Sequence, residues 1–382
     1  MKRFTIFALS LSILTISCSK HDVYPIDKEE NSLLVNNNKI DLQSRIEYLN
    51  QAVEFTKSAN TLSYTLVASI KSKTINNQSL SASAVFNKDA YTYVCFHTRG
   101  ESIAGEVLTI DVSSPDSVKI LQSISSDIYD FNDICLSRDQ SKLWLCGDEN
   151  IENMGQAFAI ELAVDNNIPN ENISWKKNFD AYSGNSINPT YSDTENNLWI
   201  SSGSNGGLNV FNIDNLAEES FSFKADNTKH FTAGRDYGLA LIGINDQLSI
   251  LRVFDLKTSF EYTDYEIPYD VSNLGKNGIH IERKVAYLAM GDDGLIVFDL
   301  ALGKIKSIFK IAGGGTANSV FTEKESVYIA YGSAGLIILN KPNMELLGQW
   351  KYEGSCNDVY VNHGTVYVAN GSGEGFYILK EN

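Results

Sequence analysis

Asparagine and aspartate recur along the chain where apolar segments begin, at a spacing that would allow their side chains to meet. They occur at Asn132-Asp133, Asn188, Asn277-Gly278, Asn318-Ser319 and Asn357-Asp358. Amide and carboxylate groups that converge at one site could bind a polar ligand, a carbohydrate or a cation. The alternative is that each residue hydrogen-bonds the local backbone in a turn that starts a strand. The sequence leaves both interpretations open.

Charged residues also occupy several turns that would lie on the same side of the fold. They are Arg99, Glu101, Asp148, Glu149, Asp246, Asp292, Asp293 and Glu374. Arg99 is a cation among acids, which suits either a substrate clamp or a surface ion pair. The acids could hold Ca²⁺, but no turn has the alternating carboxylates of a calcium loop. We therefore predict solvated turns and no resident cofactor, with Ca²⁺ as the alternative.

Other patterns that would indicate catalysis do not occur in the sequence. The histidines lack the spacing of a zinc site, and there is no Gly-x-Ser-x-Gly motif. The segment Gly313-Gly314-Gly315-Thr316 lacks the Gly-Lys-Ser/Thr ending of a phosphate-binding loop. Two disulfides among four cysteines are conceivable, but positions within strands favour buried free thiols. These cysteines are Cys95, Cys135, Cys146 and Cys356.

The elements that would position these residues form a repeat of strand, tight turn and strand. Residues 285–300 show the pattern most clearly, and residues 327–339 and 366–379 repeat it. A glycine near the end of the second strand recurs about every 45 residues, at Gly147, Gly203, Gly243, Gly291, Gly332 and Gly371. This period is typical of a four-stranded propeller blade.

An earlier unit at residues 90–112 raises the number of units to seven. The sequence thus predicts an all-β, seven-bladed β-propeller over residues 61–382. The last unit lacks a fourth strand, and residues 63–70 precede the first unit without a place of their own. We predict that this segment supplies the missing strand and closes the ring, which would remove exposed sheet edges.

Three segments resemble a known repeat. Gly294–Leu300, Gly335–Leu339 and, more loosely, Gly207–Ile213 are similar to the Leu-Val-Ile-Val-Asp repeat of bacterial seven-bladed β-propeller proteins. The resemblance covers roughly residues 62–382. It implies the fold and a secreted or cell-surface setting, and it implies no catalytic residue.

The N-terminus has the pattern of a signal peptide over residues 1–17. Lys2 and Arg3 precede an apolar run that is too short to span a bilayer, and Ser17-Cys18 follows it. This pattern resembles a bacterial lipoprotein signal, which implies lipidation of Cys18. Ser19, rather than Asp, after the cysteine implies an outer-membrane location, facing either the periplasm or the surface.

Residues 18–60 are predicted to be a lipidated tether that carries one short helix. The segment to about Asn38 is polar. Apolar residues then follow at helical spacing, which predicts a helix from Asp41, as N-cap, to Thr56. They are Leu42, Ile46, Leu49 and Val53.

The overall charge limits the possible partners. A net charge of −16 argues against a nucleic-acid partner, since phosphate binding requires a basic face. The expected partners are a membrane, through the lipid, and a glycan, a peptide or another envelope protein. We therefore expect a non-catalytic binding or scaffold module. The alternative is a lactonase-like propeller hydrolase with a polar or metal site at the channel mouth.

Overall fold

The computed structural model describes residues 32–56, 62–100, 102–152, 154–192, 195–258, 260–271 and 276–382. The predicted signal peptide, the lipidation site Cys18 and the beginning of the predicted tether lie outside these residues. Ser32–Asn382 form one compact unit. Among the described residues, no helix is both long and apolar enough to cross a membrane.

The N-terminal part of this unit contributes short elements before the repeats begin. In chain order they are β1 (Leu34–Asn36), α1 (Lys39–Ser44), β2 (Ile46–Ala52), β3 (Tyr64–Ile70), and the small hairpin of β4 (Thr74–Ile75) and β5 (Gln78–Ser79).

Seven antiparallel sheets follow, each of which is one blade of a propeller. Blade 1 contains β6 (Ser81–Lys88), β7 (Tyr91–His97), β8 (Gly105–Asp111) and β9 (Lys119–Ser126), with a 3₁₀ turn at Pro115–Ser117. Blade 2 contains β10 (Tyr129–Leu136), β11 (Lys142–Ile151), β12 (Met154–Asp165) and β13 (Ile168–Asn178). Blade 3 contains β14 (Ser186–Tyr191), β15 (Asn196–Ser201), β16 (Leu208–Asn212) and β17 (Asn215–Phe223).

The remaining blades repeat this order. Blade 4 contains β18 (Thr228–Ala233), β19 (Tyr237–Asn245), β20 (Leu248–Asp255) and β21 (Tyr262–Ile267). Blade 5 contains β22 (Ile279–Glu282), β23 (Val285–Ala289), β24 (Leu295–Asp299) and β25 (Lys304–Phe309). Blade 6 contains β26 (Ser319–Glu323), β27 (Ser326–Ala330), β28 (Leu336–Asn340) and β29 (Leu346–Trp350). Blade 7 begins with β30 (Cys356–Asn362), β31 (Thr365–Asn370) and β32 (Gly375–Glu381).

The first strands of neighbouring blades contact one another all the way around the ring, including blade 7 with blade 1. These strands therefore surround the central channel. Apolar side chains fill the spaces between blades, as the indole of Trp199 and the ring of Phe231 do by stacking at 4.5 Å between blades 3 and 4. The predicted all-β, seven-bladed propeller is confirmed.

The ring closes through the strand predicted for this role. β3 pairs antiparallel with β32, from Tyr64 opposite Glu381 to Ile70 opposite Phe376. The N-terminal segment thus supplies the fourth strand of the C-terminal blade.

The predicted helix from Asp41 to Thr56 is wrong in its position and length. α1 ends at Ser44, and its N-cap is Asn38, whose side-chain oxygen accepts the N–H of Ile40 at 3.0 Å. Residues Ile46–Ala52 form β2 instead, which pairs with the outer edge of β3. An open sheet edge offers a row of backbone partners, and this tertiary pairing outweighs helical spacing of apolar residues.

The boundary predicted at residue 61 also differs from the structure. β1 pairs with β9, so it adds an outer strand to blade 1 just as β2 does to blade 7. Two segments expected in the tether therefore belong to the propeller.

The four cysteines of the propeller are free and buried. The sequence analysis favoured buried free thiols within strands, and the structure agrees. Burial raises the pKa of the Cys356 thiol to about 12. These thiols therefore act as small apolar groups of the core.

An ion pair reinforces the ring closure. Arg45, which follows α1, donates from both terminal nitrogens to the carboxylate of Glu106 in blade 1, at 2.7 and 2.8 Å. Glu106 is fully buried, and Arg45 also donates to the carbonyl of Lys71 at 3.0 Å. Arg45 thus ties the chain around β3 to the neighbouring blade.

We predict that Arg45→Met lowers the free energy of unfolding by about 3 kcal/mol, because it leaves the buried Glu106 carboxylate without its cationic partner. Chemical denaturation would measure the loss. Adding Glu106→Gln to this variant should recover part of it. Equal stability of Arg45→Met and the wild type would contradict a role of this pair in closure.

Candidate functional site

The Asn and Asp residues singled out in the sequence lie at or just before the first strands of five blades. The channel mouth is defined here as the end of the channel at which these first strands begin. The loops that join second to third strands lie at the same end, because successive antiparallel strands reverse direction. The structure therefore gathers the candidate residues at one mouth.

At this mouth, amide side chains donate to the backbone of the next blade. Asn132 donates to the Gly184 carbonyl at 3.1 Å, and Asn188 donates to the Phe231 carbonyl at 3.0 Å. Asn318 donates to the Cys356 carbonyl and Asn357 to the Ala82 carbonyl, each at 2.8 Å. These bonds join blade 2 to 3, 3 to 4, 6 to 7 and 7 to 1. They link neighbouring blades and are therefore not the local turns that were the alternative.

The two aspartates form the complementary bond. Asp133 accepts the backbone N–H of Ile187 at 2.9 Å, and Asp358 accepts that of Val85 at 2.9 Å. Each carboxylate thus satisfies a donor in the first strand of the next blade. A buried backbone N–H without a partner would cost free energy, so these side chains stabilise the junctions between blades.

β-Bulges explain how the side chains of Asn132 and Asn357, and also that of Ser83, reach the next blade. The pairing of first and second strands shifts between Ala82 and Ala84, between Phe131 and Asp133, and between Cys356 and Asp358. The extra residue is Ser83, Asn132 or Asn357, and each donates to a carbonyl of the following blade. A bulge re-aims a side chain away from its own sheet.

The remaining two candidates differ from this pattern. Asn277 is fully buried, has a left-handed backbone (φ 54°) and donates to the Ala289 carbonyl of its own blade at 3.3 Å. Arg99 lies in the loop between β7 and β8 and donates to the Ser372 hydroxyl of blade 7 at 3.1 Å. Among the described residues Arg99 forms no salt bridge, so the ion pair considered for it is not found.

Lys276 is a residue of the mouth that the sequence interpretation missed. Its ammonium donates to the carbonyl of Asn132 at 2.9 Å and to that of Ser83. Lys276 precedes blade 5, whereas its acceptors lie in blades 1 and 2, so the side chain crosses the channel. A signal was present, since the residue before the asparagine is apolar at Asn132, Asn188, Asn318 and Asn357 but lysine at Asn277.

The titratable groups around Lys276 are strongly affected by burial. Burial raises the pKa of Asp133 to about 6, although Lys276 opposes the shift, and it also raises the pKa of Asp358. Burial, with Lys276 adding to it, lowers the pKa of His97 to about 4 and of His230 to about 3. Both imidazoles are therefore neutral at pH 7.

Chemically, the mouth is a set of polar groups that hydrogen-bond one another and the backbone. The Nδ1 of His97 forms a hydrogen bond with the amide oxygen of Asn132 at 3.1 Å. Within the described ranges, no group of three or more His, Cys, Asp or Glu side chains is arranged to hold a metal ion. The prediction of no resident cofactor and its alternative, Ca²⁺, both stay untested.

Comparison with solved structures shows what the fold resembles. The chain is similar to U3-55K, with a TM-score of 0.61 and 10% identity over 81% of this chain and 97% of that one. It is also similar to the WD40 β-propeller domain of Doa1 (TM-score 0.58, 10% identity, 84% and 97% covered). The WD40 repeats of RRP9 give a TM-score of 0.60 at 12% identity, over 86% of this chain and all of that one.

No protein-family model matches the chain, and no curated protein matches it either. At these low identities, the WD40 propellers establish the architecture of this chain and nothing about its ligands.

We predict that Lys276→Met destabilises the propeller by about 2 kcal/mol, because the carbonyls of Ser83 and Asn132 lose a charged donor. Urea denaturation of this variant would be compared with Lys351→Met, which removes an exposed lysine and should match the wild type. Equal stabilities for both variants would contradict the role assigned to Lys276.

We predict that His230 makes the protein less stable in acid. Its folded pKa is lowered from 6.5 to about 3, so this contribution is present above pH 6.5 and is lost as the pH falls towards 3. His230→Leu should flatten the dependence of unfolding free energy on pH by up to about 1.4 kcal/mol per pH unit. Denaturation from about pH 4 to about pH 7, which lies largely between the folded and unfolded pKa values, would measure this.

The matched control is His363→Asn, which changes an exposed histidine with a left-handed backbone that asparagine also adopts. It should retain the wild-type pH dependence. An unchanged pH dependence in His230→Leu would show that the imidazole is not kept neutral by the fold.

Proposed function

We propose that this protein is a lipid-anchored, non-catalytic binding or scaffold module of the cell envelope. In this role the stiff ring presents its loops to a glycan, a peptide or a neighbouring envelope protein. The observation that supports the proposal is the set of hydrogen bonds that the residues of the channel mouth form. The Asn and Asp side chains that could have formed a reactive centre bond the backbone of adjacent blades instead.

The anchor is proposed from the sequence pattern alone. Lipidation of Cys18 would hold the chain at the outer membrane, and the residues after Cys18 would link the lipid to the propeller. A single acyl chain gives weak membrane binding, so stable anchoring needs more than one chain or an added contact. The proposal therefore implies either a second acyl chain or a further contact between the protein and the membrane.

A lactonase-like hydrolase is the second candidate, and one observation favours it. Asp133 and Asp358 are buried carboxylates with raised pKa values close to a lysine, and such perturbed groups cluster at functional sites. Against it, both carboxylates accept backbone N–H groups, which accounts for their positions structurally.

We predict that the wild-type protein fractionates with membranes and incorporates a labelled fatty acid, whereas Cys18→Ala does neither. Cys135→Ala, which changes a buried thiol, is the control and should still be labelled. Label that persists in Cys18→Ala would overturn the anchor.

The same preparations separate binding from hydrolysis. Elemental analysis and a panel of lactone and ester substrates are expected to show neither a stoichiometric metal nor turnover. Turnover that is lost in both Asp133→Asn and Asp358→Asn, with the fold retained, would favour the hydrolase instead.

A further inference from the structure

A pocket on the side of the propeller away from the channel mouth has the properties of a ligand site. It has a volume of about 520 Å³ and lies at the turns between first and second strands of blades 2, 3 and 4, and at the turn after β20. The size suits a small molecule or the end of a chain of sugars. Its walls include Arg138, Tyr191, Asn197, Arg235 and Phe260.

Arg138 is held in place by a neighbouring blade. Its guanidinium carbon lies 4.4 Å from the centroid of the Tyr191 ring. Its backbone N–H also donates to the Tyr191 hydroxyl, at 2.8 Å. A guanidinium stacked in this way keeps its in-plane N–H donors available and matches the geometry of carboxylate or phosphate.

The basic residues of the pocket differ in how they are paired. Lys257 forms a salt bridge with Asp236 at 2.9 Å. In the part of the chain that the structure describes, neither Arg138 nor Arg235 forms one. In a chain with a net charge of −16, two arginines at one pocket that form no salt bridge with the described residues indicate an anionic ligand.

The acidic residues of the pocket have partners that moderate their repulsion of an anion. Asp236 is neutralised by Lys257, and Asp255 accepts the backbone N–H of Lys257 at 2.9 Å. Glu195 lies 3.5 Å from the Asn197 amide nitrogen. Glu195 thus remains able to accept hydrogen bonds from hydroxyl groups of a ligand.

Asn197 has a side-chain acceptor that lacks a hydrogen-bond donor among the described residues. The residue is 7% exposed, and its Oδ1 is buried with no hydrogen-bond partner among the described residues. A buried acceptor without a donor costs about 1–3 kcal/mol, so a ligand with hydroxyl groups would relieve an existing deficit.

Phe260 forms a fixed aromatic wall. It stacks on Phe221 with ring centroids 5.0 Å apart and meets the edge of Trp199 at 5.6 Å. Its backbone is left-handed (φ 60°), a strained conformation for a bulky residue that is found at ligand clamps. An aromatic wall of this kind suits the apolar face of a sugar ring.

We propose that this pocket binds an anionic sugar, free or at the end of a glycan, whose acidic group is a carboxylate or a phosphate. Arg138 and Arg235 bind the acidic group, a hydroxyl donates to Asn197, and the ring packs on Phe260. The assignment rests on the proposed binding function and specifies its site and ligand class. It requires no covalent chemistry.

Isothermal titration calorimetry of the mature protein with glucuronate, glucose 6-phosphate and glucose tests the proposal. We expect one of the two charged sugars to bind and glucose to bind at least tenfold more weakly. The charged sugar that binds more tightly identifies the acidic group. No binding of either charged sugar, or equal binding of glucose, would overturn the proposal.

Variants then locate the site. Arg138→Gln and Arg235→Gln should each weaken binding about tenfold, and Asn197→Ala about fivefold. Arg99→Gln removes an arginine at the opposite mouth and should bind like the wild type. Unfolding midpoints confirm that each variant is folded. Binding that is lost in Arg99→Gln but kept in Arg138→Gln would overturn the assignment of this pocket.

Two outcomes separate this inference from the proposed function. An acidic peptide that binds the pocket as tightly as the charged sugars would overturn the ligand class while supporting a binding module. A different result would be that no sugar binds, while the wild type and Arg138→Gln cross-link equally to an envelope protein. That result would overturn the assignment of the pocket as a ligand site and would still support the scaffold role.

Discussion

The pairing of β3 with β32 is the constraint on which the whole ring depends. A blade can bury both of its faces only if it has a neighbour on each side, so an open array would expose the apolar faces of its two terminal blades. Hydrogen bonds between β3 and β32 make blade 7 a complete sheet. The contact between Arg45 and Glu106 then ties this junction to blade 1. Closure therefore stabilises every other blade interface indirectly.

Contacts between neighbouring blades also determine the structure of the channel mouth. Where the first strands begin, bulges leave backbone groups that the ladder of a single sheet does not satisfy. Side chains such as Asn357 and Asp358 reach these groups in the adjacent blade. Residues with the chemistry of a binding site thus act as connectors, and Lys276 connects blades across the channel. The mouth is polar because the fold requires it.

On the opposite side of the propeller, side chains also join neighbouring blades, since Glu323 accepts the backbone N–H groups of His363 and Gly364 and Asn362 donates to Asn87. On that side, blades 3 and 4 leave a pocket between them. Arg138 is oriented by Tyr191, and Phe260 is held by Phe221, so the walls are preorganised. Preorganisation lowers the cost of binding a small ligand. The rigid ring supports the pocket, while the chemistry of binding comes from residues in turns, which vary between blades.

The sequence alone determined the number of blades, the strand order and the closing segment, because each of these follows from local periodicity and from the count of strands. It also indicated that Asn132, Asp133 and their counterparts would meet. Only the tertiary structure decided what Asn132 and Asp133 do, since their partners lie in another blade, 52 and 54 residues away along the chain. The tertiary structure also decided the conformation of Ile46–Ala52. This segment has apolar residues at helical spacing but forms a strand, because it pairs with the open edge of β3. The pocket around Asn197 could not be read from the sequence, because its walls come from three blades and their meeting depends on the packing of the closed ring.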